Sequence, residues 1–472
     1  LKITSIIFCF FLLSQNYGSA QVLYENFYQD NGAYAGYAIK PTSDNGYIIT
    51  GFCNPTGTFS GQEFLLIKID SLGVSEWSSY FGDIGGDQAY GVTETSDGGF
   101  ALVGSWGNPA TSSSDIALIK TDANGNFQWQ KLWGDTLFDA AWDIVEIPTD
   151  SGFAIASTIG YNPVLYRTDK YGDTLWTKTF PDSARANAIT LLSDGGFLLV
   201  GETALGTLGV RGYVIRTDEN GNEIWTKYFI GGGSEQLYDG YETSDNRFVV
   251  VGGSLEDSPP PKTDGIIRIL DTNGDLLNYE TYGGSLTDYF RGVCPTTDNN
   301  GSVMVGTTYY PSTPSNQNQF YFVKTGTNGE LVWEVDFGND LPETENGYGI
   351  CQASDGGYIA CGQKTTTGQA YLYVIKINEY GSVVSVNEIS LNNEFNIYPN
   401  PCTSQSIFQF AQPLNAQTEL RVYSIKGDIV FSDVLEQGTQ EYTFYKNNLT
   451  PAIYVVTIKT GNTYLTQKLI IY

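Results

Sequence analysis

Ser43-Asp44-Asn45-Gly46-Tyr47 and, 53 residues on, Ser96-Asp97-Gly98-Gly99-Phe100 are two copies of one turn. An aspartate that accepts from backbone N–H groups just ahead of it, followed by a residue that reaches positive φ cheaply, reverses a chain between two strands. Further copies, some weaker, centre on Asp150, Asp194, Asp245, Asp298 and Asp355, so the gaps along the series are 53, 53, 44, 51, 53 and 57. Seven copies at about fifty residues belong to a radial or solenoidal array.

A second turn lies between the copies of the first. Ile119-Lys120-Thr121-Asp122-Ala123-Asn124-Gly125-Asn126 leads to Trp129. Its glycine recurs as Gly73, Gly172, Gly221, Gly274, Gly329 and Gly381. Four residues after these glycines stand Trp77, Trp129, Trp176, Trp225 and Trp333, with Asn278 in the fifth unit and Ser385 in the seventh. Each unit thus has four apolar segments; in the second they are 89–95, 100–104, 116–121 and 127–133. Four antiparallel strands per unit make a propeller blade, whereas a solenoid needs parallel rungs and shorter repeats.

The seventh unit lacks its tryptophan-bearing strand, and that strand is found at the other end. Trp77 precedes Asp97 by 20 residues, and Tyr24 precedes Asp44 by the same 20. Val22–Tyr28 is therefore expected to complete the seventh blade and remove two open sheet edges. The tryptophans read as wedges between blades. The Asp-x-Asn-Gly runs read as hairpins, because their glycine comes too early for a calcium loop and no glutamate closes it. A basic residue recurs in the third strand, as Lys68, Lys120, Arg167, Arg216, Lys324 and Lys376, near the Ser-Asp-Gly turn, and a contact with the turn aspartate is expected.

Composition narrows the function. Of 472 residues, 52 are acidic and 24 basic, a net charge of −28 that repels phosphate backbones and argues against nucleic acid as a partner. Histidine is absent, which removes Ser-His-Asp and Cys-His catalysis and His-bound zinc. No catalytic, cofactor-binding or metal-binding set is recognised, and no cofactor is expected. Residues 1–20, with Lys2, an apolar run over Ile3–Leu13 and Gly18-Ser19-Ala20, read as a signal peptide, with no membrane span in the mature chain. Without Cys9 five cysteines remain; Cys351 and Cys361 flank one hairpin, but buried free thiols are the favoured reading.

The expected organisation is a seven-bladed all-β propeller over 21–381, a linker over 382–394 and a small Ig-like β-sandwich over 395–472. The sandwich rests on about seven short alternating strands in under a hundred residues. Its blocks are Phe395-Asn396-Ile397-Tyr398-Pro399-Asn400-Pro401, then Leu420 to Gly427, then Leu449 to Val456 with Tyr454, and finally Lys468-Leu469-Ile470-Ile471. Their order and spacing resemble the type A C-terminal sorting domains of the type IX secretion system of Bacteroidota, with Ala452 where that family more often has glycine. The resemblance implies that residues 395–472 engage the secretion machinery and that the chain reaches the cell surface or medium. At blade edges the glycine-to-tryptophan spacing also resembles quinoprotein propellers, but their cofactor residues are not found.

Neither part names a ligand. The leading reading is a non-catalytic binding protein for polysaccharide or another protein. The alternatives are a glycan hydrolase with Asp or Glu in the funnel, and a structural surface component. Both short turns fall on one face of the ring, so the variable connections share the other, where binding is expected. The second-to-third loops carry Trp106, Tyr309 and Tyr310. The loops into the next blade carry Asp87, Asp139, Glu235, Asp288 and Glu345. Aromatic platforms beside carboxylates suit sugar rings.

Overall fold

The structure is a computed structural model that describes residues 24–471 apart from 29–31, 55–60, 84, 109–112, 136, 181–183, 205–209, 230–232, 257–261, 285, 311–316, 339–342, 367, 382–394, 411, 415, 425–428, 447–448, 451 and 461–462. The expected signal peptide, Cys9, the linker and Gly427 lie outside the described residues. The chain forms two units, one within 22–385 and one within 386–472.

The first unit is a seven-bladed propeller, each blade a four-stranded antiparallel sheet. In blade 2 the strands run outward as Gln88–Glu94, Phe100–Asn108, Ser113–Thr121 and Phe127–Trp133. The first turn closes on Thr95 N–H to Gly99 O at 2.8 Å, with Asp97 Oδ1 accepting from Thr95 Oγ1 and Gly99 N. In the second, Asp122 Oδ1 accepts from Asn124 N and Asn126 N, both at 2.9 Å, and Gly125 takes φ +74°. The middle strands of each blade are apolar on both faces, because each sheet is covered by a neighbour on either side.

Tyr24–Tyr28 pairs antiparallel with Gln369–Ile377 and completes the seventh sheet. Tyr24 stands opposite Lys376, as Trp77 stands opposite Lys68 and Trp129 opposite Lys120. The aromatic in this register lies on the second-turn glycine of the next blade. A methyl group at Gly125 would come within 2.4 Å of Trp77, and one at Gly73 within 2.5 Å of Tyr24. The closing strand is fastened further by Tyr28 Oη and Asn26 Nδ2, which both donate to Gly73 O, at 2.5 and 2.8 Å. In blade 5, Asn278 replaces packing with polarity: its amide donates to Asn328 O, and Tyr282 donates to Gly329 O.

The expected cation–aspartate contact forms in five blades: Lys68–Asp44 at 2.9 Å, Lys120–Asp97 at 3.0 Å, Arg167–Asp150 at 2.5 Å, Arg216–Asp194 at 2.7 Å and Lys376–Asp355 at 2.8 Å. Lys324 departs from it and donates to Glu379 O at 3.3 Å. Blade 5 has Ile269 in this register, and there Asp245 pairs with Arg247 from its own hairpin at 2.9 Å. Cys53, Cys294, Cys351, Cys361 and Cys402 are buried thiols outside any disulfide. Cys351 faces Ile359 and Cys361 faces Gly349, so the two are not cross-strand partners.

The second unit is a sandwich of a three-stranded and a four-stranded antiparallel sheet. Between them lie Phe408, Phe444, Leu420, Val422, Val456, Ile458 and Leu469, all fully buried.

Deleting residues 22–28 is expected to lower the melting midpoint of the whole ring in one transition, followed by circular dichroism and tryptophan fluorescence, since it opens two edges. An unchanged midpoint would show that the ring holds without its closing strand. Gly125→Ala should cost at least ~1–2 kcal/mol through the left-handed backbone alone, before the contact with Trp77 is counted.

Candidate functional site: the mouth of the central channel

The seven inner strands are Ala33–Pro41, Gln88–Glu94, Ala140–Ile147, Ala184–Leu191, Ser234–Glu242, Tyr289–Pro295 and Glu343–Gln352. Each carries a β-bulge at the same place: the pairing slips between Gly36 and Ala38, Ala89 and Gly91, Ala141 and Asp143, Ala186 and Ala188, Leu237 and Asp239, Phe290 and Gly292, and Gly347 and Gly349. The residues within the slips are Tyr37, Tyr90, Trp142, Asn187, Tyr238, Arg291 and Tyr348. A bulge leaves its extra residue unpaired and re-aims its side chain. All seven line one cavity of about 370 Å³ in the channel, together with Gln88 and Arg185. The strands crowd just past the bulge, where a methyl group at Gly292 would come within 2.8 Å of Tyr348 O and one at Gly91 within 2.8 Å of Asp143 Cα.

The cup has an aromatic half and a basic half. Tyr348, Tyr37, Tyr90 and Trp142, from blades 7, 1, 2 and 3, form a continuous run with ring centroids 5.2, 5.3 and 4.5 Å apart. Arg185 stacks on Trp142 at 3.2 Å, and Arg291 lies over Tyr238, Tyr289 and Tyr348 at 4.6, 5.1 and 5.4 Å. Burial pushes the Tyr37, Tyr90, Tyr238 and Tyr348 hydroxyls above their ordinary range, so they are neutral phenols. Tyr90 donates to Gln88 Oε1 at 2.9 Å and Tyr238 to Gln236 Oε1 at 3.0 Å.

Deeper in the channel, Asp143 accepts from Ile144 N and, across to blade 4, Ile189 N at 3.1 Å. Asp239 does the same with Gly240 N and, across to blade 6, Val293 N at 2.9 Å. Burial raises both carboxyls, Asp239 to about 6. Burial also disfavours the Lys40 ammonium, but Asp143 and Asp239 outweigh it and raise its pKa. These groups join neighbouring blades at the neck of the channel.

The inner strands start at the cup, so it opens on the face with the variable loops. The five acids expected as ligands on that face are built into its support instead, each three residues before a bulged residue and none more than 1% exposed. Asp87 accepts from Asp83 N at 2.9 Å and Gly107 N at 2.7 Å. Asp139 accepts from Asp135 N and Gly160 N, and Asp288 from Gly284 N and Tyr309 N. Where the acid is the longer glutamate, a cation meets it: Glu235 takes a bidentate bond from Arg268 at 2.6 Å, and Glu345 pairs with Lys364 at 2.5 Å. Trp106 packs across the blade junction on Phe64 at 5.8 Å and donates to Asp83 at 3.2 Å. Neither Trp106 nor Tyr309 lines the cup. The Tyr310 side chain and the tips of the three long loops lie outside the described residues. Hollows of about 630 and 600 Å³ open on the short-turn face. In the first, Ser96 donates to Glu146 and Lys120 pairs with Asp97, so these groups already satisfy one another.

In the sandwich, Asn400 Oδ1 accepts from Ile470 N at 2.8 Å, Cys402 N donates to Ile470 O at 2.7 Å, and Ser406 Oγ donates to Pro399 O at 2.6 Å. The Tyr398-Pro399-Asn400-Pro401 block thereby ties the start of the unit to its last strand, Thr463–Ile471, which carries Lys468. Tyr454 Oη donates to Thr450 O at 2.9 Å.

Residues 396–472 match the family model described as the secretion system C-terminal sorting domain. They are a type IX sorting tail, which marks the chain for export to the cell surface or the medium. No curated protein sequence matches the chain. Among solved structures it is similar to the WD40 domain of Neurospora crassa Pan2, at 12% identity and TM-score 0.47 over 73% of this chain and 89% of that one. It is also similar to a Dyadobacter fermentans protein, at 12% and 0.46 over 76% and 98%, and to a periplasmic gluconolactonase of Pseudomonas aeruginosa, at 12% and 0.44 over 64% and 85%. Among the described residues no helix is long and apolar enough to cross a membrane.

Asp87 gives a test of its supporting role. Burial pushes its carboxyl from 3.8 up to about 6, against the N–H groups of Asp83 and Gly107. A pKa raised on folding contributes stability that is complete below the unfolded value and lost as pH rises through the folded one. Asp87→Asn should therefore remove a decline in stability between about pH 4 and pH 6, measured by chemical denaturation. A pH profile parallel to that of the wild type would show that Asp87 does not titrate there.

Proposed function

We propose that this exported protein is a non-catalytic binding protein whose ligand, a polysaccharide chain end or branch, enters the mouth of the central channel. The observation that carries this reading is the ring of seven bulged residues, five of them aromatic, presented at one level from seven blades. A bulge costs ladder hydrogen bonds, and its repetition in every inner strand delivers seven side chains to one cavity. Aromatic faces stack on sugar rings while phenols, amides and guanidinium groups meet hydroxyls. The carboxylates that share the channel with the seven bulged residues, Asp143 and Asp239, are engaged with backbone N–H groups, which favours binding over hydrolysis. The propeller is proposed to span 21–381 and the sorting unit 395–472, joined by a linker.

Trp142→Ala and Tyr37→Ala should each weaken saccharide binding by about tenfold, as expected for loss of one stacked aromatic. The readout is a glycan array followed by calorimetry, with the melting midpoint checked in parallel. Trp106→Ala should act on stability more than on affinity. The reverse pattern would move the site to the rim loops. Removal of 395–472 is expected to leave a folded propeller retained inside the outer membrane, followed by cell fractionation; surface display of the shortened chain would overturn the sorting assignment.

A further inference from the structure

Resting on the reading of the channel mouth as the binding site, we propose that its ligand is acidic: a saccharide bearing a carboxylate, of the uronic acid type, whose anionic group is held by Arg291 with Arg185 beside it.

The argument starts from the balance of charge. With 52 acidic residues against 24 basic ones, any arginine on this chain has acids available to it. Arg167, Arg216, Arg247, Arg268 and Arg421 each hold a carboxylate at 2.5–2.9 Å. Among the described residues the chain's other three arginines, Arg185, Arg211 and Arg291, have no carboxylate within ion-pair distance. All three lie toward the variable-loop face, and two line the cup. Even Glu202, opposite Arg185 in the sheet, lies beyond ion-pair distance of it.

Position strengthens the point. Arg291 is the bulged residue of blade 6, where blades 1, 2, 3, 5 and 7 have an aromatic, so its guanidinium is aimed into the cavity at the level of the stacking rings. It rests against three tyrosine rings, which hold a cation without neutralising it. The Nε–H groups of Arg291 and Arg185 are buried and have no acceptor among the described residues. A buried donor on a charged group is costly when unmet, and a planar two-oxygen anion meets a guanidinium edge with two parallel bonds. Arg185 is flat against Trp142, which fixes its plane. Its nearest acid, Glu202, lies opposite it on the second strand, outside the cup lining. An aromatic run on one side and two guanidinium groups on the other suit a sugar ring that stacks by one face and carries its carboxylate at one edge.

The test uses the full mature chain and two probes that differ in one group: an oligogalacturonide and its fully methyl-esterified form. Calorimetry is expected to show the free acid bound at least about tenfold more tightly than the ester, with the preference weakened by salt. Arg291→Gln should abolish the preference at an unchanged melting midpoint, Arg185→Gln should reduce it, and Arg291→Lys should keep part of it. Equal binding of acid and ester, or of neither, overturns the proposal. Equal binding that is still lost in Trp142→Ala leaves the mouth as a site for neutral ligands. Binding untouched by both Arg291→Gln and Trp142→Ala places the ligand elsewhere and overturns the reading of the site as well.

Discussion

At six of the seven junctions, blade meets blade through an aromatic side chain packed on a glycine. The glycine is required twice over: its backbone takes positive φ to turn the hairpin, and its missing side chain is the space the neighbour's ring fills. Trp77 on Gly125, Trp129 on Gly172, Trp176 on Gly221, Trp225 on Gly274 and Trp333 on Gly381 repeat one joint, and Tyr24 on Gly73 makes the same joint where the chain closes on itself. Because the joint fixes the outer edge of each blade, the inner strands converge at a fixed spacing. That spacing leaves no room beside the bulge for more than a hydrogen at Gly91, Gly292 or Gly349.

The outer joint and the inner ring divide the sequence into two kinds of position. Residues at the joint are held nearly constant from blade to blade, since each must fit the same hairpin. Residues at the bulge vary from Tyr to Trp, Asn and Arg, since they meet one another around the cavity and need not fit a common hairpin. The buried acids belong to the first kind. Asp87, Asp139 and Asp288 repeat one arrangement of two backbone donors, and Glu235 and Glu345 achieve a related end with a cation.

The same division explains what could be read before the structure. Asp-x-Asn-Gly and Ser-Asp-Gly announce themselves because the turn is decided by the residues that form it, and their spacing then implies the blade, the ring and its closure by Tyr24. The resemblance of the last block to a sorting domain was legible for a similar reason, as Asn400 and Tyr454 act within short range of their own segments or at the unit's two ends. A bulge is different. It is a mismatch between two strands, invisible in either alone, so nothing singled out Tyr37 or Arg291. A signal was nevertheless present: an acid, then two residues, then an aromatic or arginine, then Gly or Asp, in Asp87-Gln88-Ala89-Tyr90-Gly91, Asp139 to Asp143, Glu235 to Asp239, Asp288 to Gly292 and Glu345 to Gly349. In each copy the acid is the buried member and the bulged residue the one that lines the cavity.

The pairing of Tyr24–Tyr28 with Gln369–Ile377 also imposes an order in time. The strand that leaves the ribosome first has its partner among the last of the propeller to be made, so no blade-by-blade assembly can finish the ring early. The sorting domain follows that partner along the chain. A molecule cut short by premature termination before Ile377 lacks the means to close and equally lacks its export tag. Address and completeness are therefore inspected together: every copy able to present the tag has already been synthesised with all seven blades.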